Sequence, residues 1–235
     1  MLDASMLVMI HSPSVGPLTW RLCSDLLQRK GYPVCIPSLR DFAGGDPPYY
    51  ENAAEHIADA VRKCPRAEPV TLIAHSGAGA LLPTIAEKLD QPCYAIFVDA
   101  ILPHPGRSWF DTAPPVLSTH LRGLARNGLL PPWHEWFPPE VISALIPDPN
   151  ARQRFIGELP RIRVAYLEER APTTGADRFL RCGYLQLSDG YGAFANKAGK
   201  AGWVTLRASA DHLAVLTRPE VVCTALVSLL EALGI

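Results

Sequence analysis

One hydroxyl in this chain is set up for chemistry by its neighbours. Ser76 stands in Val70-Thr71-Leu72-Ile73-Ala74-His75-Ser76-Gly77-Ala78-Gly79, where β-branched and apolar residues lead into a serine flanked by small side chains, with helix-forming residues beyond. The order strand, sharp turn, serine, helix reads as a nucleophile elbow. Its physics is steric. A serine on so tight a turn is held in a strained backbone conformation, and the residues two before and two after it must be small for strand and helix to approach. Here those residues are Ala74 and Ala78, with Gly79 beyond, a relaxed form of Gly-x-Ser-x-Gly. Such a turn exposes Oγ at the carboxyl edge of a sheet and aims the helix N-terminus and the Gly77 N–H at any oxyanion that forms. The competing role for Ser76 is an ordinary helix N-cap.

The elements that must position Ser76 alternate along the chain. Residues 7–10 read as a buried strand, 19–30 as a helix closed by Gly31, 34–36 as a short strand, 53–63 as a helix, and 93–99 as the strand after the elbow helix, which is expected to kink at Pro83. Strands alternating with helices at short intervals imply an α/β fold with a parallel sheet and right-handed crossovers. Loops at the carboxyl ends of such strands form the active edge, and His11, Ser76 and Asp99 all fall there.

Residues 103–160 break the alternation. Proline pairs at 114–115, 131–132 and 138–139 punctuate short amphipathic pieces, residues 116–125 and 140–145 among them, and Trp109, Phe110, Trp133, Trp136 and Phe137 supply large apolar surfaces. So many aromatics fit a small helical cap better than a floppy linker. Beyond it, residues 162–167 and 183–187 read as strands, 194–201 as a helix, 203–206 as the last strand, and 219–233 as a closing helix. The expected organisation is one domain over 1–235 with 103–160 as an inserted cap.

Composition narrows the classes. The chain has 235 residues, 48% hydrophobic and 19% charged, with a formal net charge of −1, which is ordinary globular composition without a basic stripe. Nucleic acid is therefore not an expected partner. The first residues carry no basic region and run quickly into a core strand, so no signal peptide is expected. No apolar stretch approaches the ~20 residues of a membrane span, and a cytoplasmic, soluble protein is expected, monomeric or homodimeric. Six scattered cysteines and seven dispersed histidines offer neither a disulfide framework nor metal-ligand spacing. No cofactor is expected.

With these pieces in order, the chain resembles the α/β-hydrolase superfamily over nearly its whole length. The first strand with His11-Ser12-Pro13 and then Trp20 resembles the His-Gly oxyanion loop and tryptophan of plant-type methylesterases and hydroxynitrile lyases. Residues 74–78 match the elbow, and Trp203 through His212 to Pro219 match the last strand, the histidine loop and the proline-led terminal helix. The resemblance implies a α/β-hydrolase fold, a mostly parallel twisted sheet flanked by helices, and a mechanism in which Ser76 attacks a carbonyl, His212 takes its proton and a carboxylate orients the imidazole.

Three places compete for that carboxylate. In most of the superfamily it follows the penultimate strand, about where Asp189 stands. Asp99 occupies an alternative place used by some haloalkane dehalogenases, and it closes an otherwise apolar strand, where an acid is costly unless paired. Asp99 is favoured on that ground, because Asp189 lies in a plausible turn of its own. Glu168 and Glu169 rank third, as acids at a solvated strand end.

One departure bears on function. The resemblance implies a second oxyanion donor on the backbone at position 13, and Pro13 has no N–H. One lost donor costs roughly 3 kcal/mol of transition-state stabilisation. Ser12 could lend its hydroxyl, or a neighbour such as Ser14 could replace the donor. Three functions follow: a hydrolase of carboxylic esters or thioesters with a largely apolar pocket, a non-hydrolytic lyase or cyclase, and a catalytically silent binding protein. Serine at the elbow excludes haloalkane dehalogenase and epoxide hydrolase chemistry, which need a carboxylate there. His11 is expected to fix its loop by hydrogen bonds, His75 to point away from Oγ, and Trp109, Trp133 and Trp136 to pack rather than bind.

Overall fold

Six parallel strands lie in the order β2-β1-β3-β4-β5-β6. They are β1 (Met6–Ile10), β2 (Val34–Cys35), β3 (Val70–His75), β4 (Cys93–Val98), β5 (Phe179–Gln186) and β6 (Val204–Arg207). The computed structural model describes residues 5–64, 69–174 and 176–235. Residues 1–4, on which the expectation of no signal peptide rests, lie outside the described residues. Among the described residues no helix is long and apolar enough to cross a membrane.

The central strands are apolar throughout because both faces of a parallel sheet are covered. β1 sends Met6, Val8 and Ile10 to one face, beneath α2 (Tyr49–Lys63) and α3 (Leu82–Glu87), and sends Leu7 and Met9 to the other, beneath α1 (Leu18–Arg29) and α11 (Pro219–Leu233). The same alternation runs through β3 and β4, with Leu72, Ala74, Ala95 and Phe97 on the first face and Ile73, Ile96 and Val98 on the second. Trp20, Cys23 and Leu27, at helical spacing on α1, are fully buried, and Gly31 takes the left-handed φ of 93° that ends that helix.

Three local expectations are corrected. The helix expected from residue 53 starts at Tyr49, because Glu169 reaches back across the fold and accepts the N–H groups of Tyr49 and Tyr50 at 2.8 and 2.9 Å. A distant carboxylate thus supplies the cap that Pro48 cannot. Pro83 does not kink the elbow helix. Residues Ser76–Leu81 wind as a 3-10 helix and Pro83 falls in the first turn of α3, where its missing N–H has no role.

The third correction concerns residues 162–167. They do not form a strand; α8 (Val164–Glu168) is helical. A short apolar run cannot be told from a buried helix turn by periodicity. The carbonyl of Ile162 accepts from Leu130 N, the Arg163 amide donates to Ala43 O, and its guanidinium holds the carbonyls of Gly44 and Gly45. The chain is pinned there and turns into a helix.

Between β4 and β5 the sheet alternation stops. That segment holds α4 (Trp109–Thr112), α5 (Pro115–Leu124), α6 (Pro139–Leu145), α7 (Pro149–Ile156) and α8, and three of these helices open on proline, whose fixed φ suits a first turn. Trp109, Phe110, Trp133 and Phe137 are partly buried against the core, and Trp136 is buried with its Nε1–H donated to Pro131 O at 2.8 Å. After β5 come α9 (Gly192–Lys200), β6, α10 (Ala214–Thr217) and α11.

Candidate active site

β3 delivers Ser76 to the carboxyl edge of the sheet, on a turn with a φ of 58°. That left-handed value is strained for a residue with a Cβ and is held by its surroundings. The Ser76 carbonyl accepts from Ile101 N at 3.1 Å, which ties the turn to the chain leaving β4. Ala74 and Ala78 are fully buried. The tightest approach is at Gly79, where a Cβ would stand 2.0 Å from the Ile101 carbonyl oxygen. Glycine at 79 is therefore what lets this turn pack against the β4 exit.

Three sequence-selected residues meet. His212 Nε2 lies 3.1 Å from Ser76 Oγ, and His212 Nδ1 lies 2.9 Å from Asp99 Oδ2. Asp99 ends β4 with a φ of 42° and no exposure. Its carboxylate is fully engaged. Oδ1 accepts the N–H groups of Leu187 and Ser188 at 2.8 and 3.0 Å, and Oδ2 accepts the Ser188 hydroxyl at 2.5 Å as well as the imidazole. Burial pushes the Asp99 carboxyl up, but the hydrogen bonds from His212 and Ser188 outweigh it and hold it below the ordinary carboxylate value. An ionised Asp99 requires the proton on His212 Nδ1, which leaves Nε2 to accept from Ser76 O–H.

The competing acids are elsewhere. Asp189 is exposed and ion-paired with Arg207, Glu168 is exposed and paired with Arg122, and Glu169 caps α2.

The His11-Ser12-Pro13 loop sits against the elbow. A Cβ on Gly77 would come within 2.9 Å of Ser12 Oγ and 4.0 Å of Pro13 Cδ. The hydroxyl of Ser12 thus lies beside the Gly77 backbone and also contacts Ser14 Oγ at 3.0 Å. His11 fixes this loop: Nε2 accepts from Leu39 N at 3.0 Å, so Nδ1–H donates to the Ser12 carbonyl at 2.8 Å. Burial lowers the His11 pKa to about 4, so the ring is neutral at pH 7.

Two rings flank His212, of which sequence reasoning singled out His75 and missed Tyr191. The His212 ring is stacked between His75, at 4.6 Å between centroids and 28° between planes, and Tyr191, at 4.7 Å and 3°. His75 makes no hydrogen bond to Ser76 Oγ and donates its Nε2–H to the His212 carbonyl at 2.9 Å. Its Nδ1 meets no hydrogen-bond partner among the described residues, and burial lowers its pKa to about 3. Trp20 stands edge-on to the His75 ring at 5.9 Å. Tyr191 brings its hydroxyl to 3.3 Å from Ser76 Oγ. Its only signal in the sequence was its place in the turn after β5, at a strand carboxyl end. Ser188 in the same turn, a donor to Asp99, was likewise missed.

Among the described residues no group of three His, Cys, Asp or Glu side chains could hold a metal ion. A cavity of about 380 Å³ includes Ile101, Leu102, His104, Arg107, Phe194 and Lys197 in its lining.

Residues 7–225 match the sequence model of the alpha/beta hydrolase family. The chain belongs to that family. Solved structures agree on the fold. An extracellular alpha/beta-hydrolase from a Paenibacillus species superposes with a TM-score of 0.74 at 18% identity, covering 95% of this chain and 98% of that one. A pyrethroid hydrolase from Sphingobium faniae gives 0.71 at 18% identity over 97% and 98%. Methylketone synthase I of tomato, in complex with 2-tridecanone, gives 0.70 at 14% identity over 97% and 98%. At these identities the likeness concerns the fold. A search of curated proteins by sequence finds no significant match.

Proposed function

We propose that this alpha/beta hydrolase is a serine-dependent hydrolase of carboxylic esters or thioesters of a small substrate, working through a Ser76–His212–Asp99 triad. The observation that carries the proposal is the continuous hydrogen-bonded chain from Asp99 through His212 to a serine held at a φ of 58°. Ser76 Oγ attacks the carbonyl carbon as its proton passes to His212 Nε2. The buried carboxylate of Asp99 holds the tautomer and balances the imidazolium. The intermediate collapses, the leaving group takes the proton from Nε2, and water repeats the sequence on the acyl-enzyme. Residues 103–160 serve as a cap over the sheet edge within one domain.

The oxyanion site combines the Gly77 N–H with the Ser12 hydroxyl. Pro13 supplies no donor, and Ser12 Oγ is the polar group beside Gly77. The same proline favours a second reading, a non-hydrolytic lyase or cyclase that uses His212 as a base, because a site with one backbone donor stabilises a full oxyanion poorly. A binding protein that has lost its chemistry is the third.

Intact mass after exposure to a fluorophosphonate, for the native protein and for Ser76→Ala, tests the proposal. One adduct on the native chain and none on the variant is expected. No adduct on the folded native protein sinks the hydrolase reading and brings the lyase, cyclase or binding readings forward.

A further inference from the structure

Tyr191 approaches the reacting oxygen by a route the triad does not use. We propose that Tyr191 is a further catalytic residue, a hydrogen-bond donor to the departing oxygen of the substrate, and that it makes the site selective for oxygen esters over thioesters. The inference rests on the serine-hydrolase reading above.

Proton bookkeeping fixes the direction of the Tyr191 contact. His212 Nδ1–H is committed to Asp99, so Ser76 gives its one proton to Nε2. In the 3.3 Å pair with Tyr191, Ser76 Oγ is therefore the acceptor and the phenol the donor. This is the phenol's one hydrogen bond among the described residues. Burial pushes the Tyr191 pKa up to about 12, against the opposing contact with Ser76, so the phenol holds its proton at pH 7. The ring stacks on His212 and packs at a tilt against Phe194, at 5.8 Å and 37°. The hydroxyl is thus placed by packing against two rings.

The leaving group must come to His212, because Nε2 is the only acid of the triad. The carbonyl oxygen is drawn the other way, to Gly77 and Ser12. The phenol, on a ring parallel to the imidazole and 4.7 Å from it, shares Ser76 Oγ with Nε2, at 3.3 and 3.1 Å. During acylation the Oγ–C bond forms and the Oγ proton moves to Nε2. Oγ then no longer needs the phenol as a partner, and the Tyr191 hydroxyl turns to the alkoxy oxygen. The C–O bond breaks, its electron pair stays on that oxygen, and the oxygen takes the proton from Nε2 and leaves as the alcohol. Tyr191 keeps its proton throughout. An alkoxy oxygen building charge is a strong acceptor, whereas a thioester sulfur is a weak one and leaves more readily as a thiolate. The contact therefore favours oxygen esters.

The test uses a matched pair, ethyl butyrate and S-ethyl thiobutyrate, with the native protein and Tyr191→Phe. Phenylalanine keeps the stack on His212 and removes only the hydroxyl. We expect kcat/KM, which reports the acylation step that differs between the two substrates, to fall about tenfold on the oxygen ester, and the ester-to-thioester ratio of kcat/KM to fall about tenfold with it. Equal losses on both substrates, or no loss on the ester, would overturn the inference. Native kcat/KM gives a check that needs no variant: the ester must exceed the thioester, and a thioester preference overturns the proposal. Ser76 labelled by the fluorophosphonate with neither substrate turned over also overturns it, while leaving the activated serine standing. Absence of labelling removes the hydrolase reading itself.

Discussion

Asp99 Oδ2 lies 2.9 Å from His212 Nδ1 and is fully buried, while Asp189, the acid at the more usual position, points to solvent and pairs with Arg207. Asparagine at 99 keeps the shape but presents an amide that leaves His212 in the wrong tautomer. Asp99→Asn should lower kcat by about 10³- to 10⁴-fold on any ester the native protein turns over. Asp189→Asn should leave kcat and KM near native. Steady-state kinetics of the two variants side by side decide the matter; a large loss in Asp189→Asn with activity kept in Asp99→Asn would exchange their roles.

Ser12 gives the next prediction. If its hydroxyl replaces the donor that Pro13 lacks, Ser12→Ala should lower kcat by about 10²-fold or somewhat less, with KM little moved, because an oxyanion contact acts in the transition state. Ser14→Ala separates the two hydroxyls, which lie 3.0 Å apart. An unchanged kcat in Ser12→Ala removes Ser12 from the oxyanion site.

Gly79 is the position at which the elbow tolerates no side chain. A Cβ there would stand 2.0 Å from the Ile101 carbonyl, on backbone that also donates to Ser76 O. Gly79→Ala should destabilise the fold by about 3 kcal/mol, at the upper end of overpacking costs, since backbone rather than a flexible side chain must yield. Urea unfolding measures it. Gly202→Ala has nothing within 4 Å of the new Cβ, so its penalty comes from its φ of 81° alone and should be the smaller of the two.

The elbow was legible in the sequence because its constraint is local: small residues at fixed offsets around one serine. Asp99 was arguable for a local reason as well, an acid ending an apolar strand that must be paired. What decided it against Asp189 is tertiary, the amides of Leu187 and Ser188 arriving from β5. The Tyr191 stack is wholly tertiary, since two loops from different strand ends meet face to face, and no spacing rule marks that pair. The start of α2 was misplaced for the same reason, its cap being Glu169 from α8's end. Residues 162–167 misled because five apolar residues carry no period of their own, and Arg163 chose the turn.

His11 and His75 make acid stability the last prediction. Burial is the main cause in both, lowering His11 to about 4 and His75 to about 3 from an ordinary 6.5. Below pH 6.5 the unfolded chain binds protons at these positions that the folded chain refuses, so stability falls as pH falls. Each ring contributes a slope of about 1.4 kcal/mol per pH unit, and by pH 5 the pair should cost about 4 kcal/mol relative to pH 7. Asp99 adds nothing in this window. Its lowered pKa stabilises the fold above the ordinary carboxylate value, and that stabilisation is lost only at more acid pH. Urea titrations at pH 7, 6 and 5 measure the slope, to which His104, also lowered by burial, adds in the same direction, and His75→Gln should remove the share of one ring. A midpoint that stays level from pH 7 to pH 5 would mean that the two rings take up protons in the folded state, and that the hydrogen bond from His75 to the His212 carbonyl does not depend on a neutral imidazole.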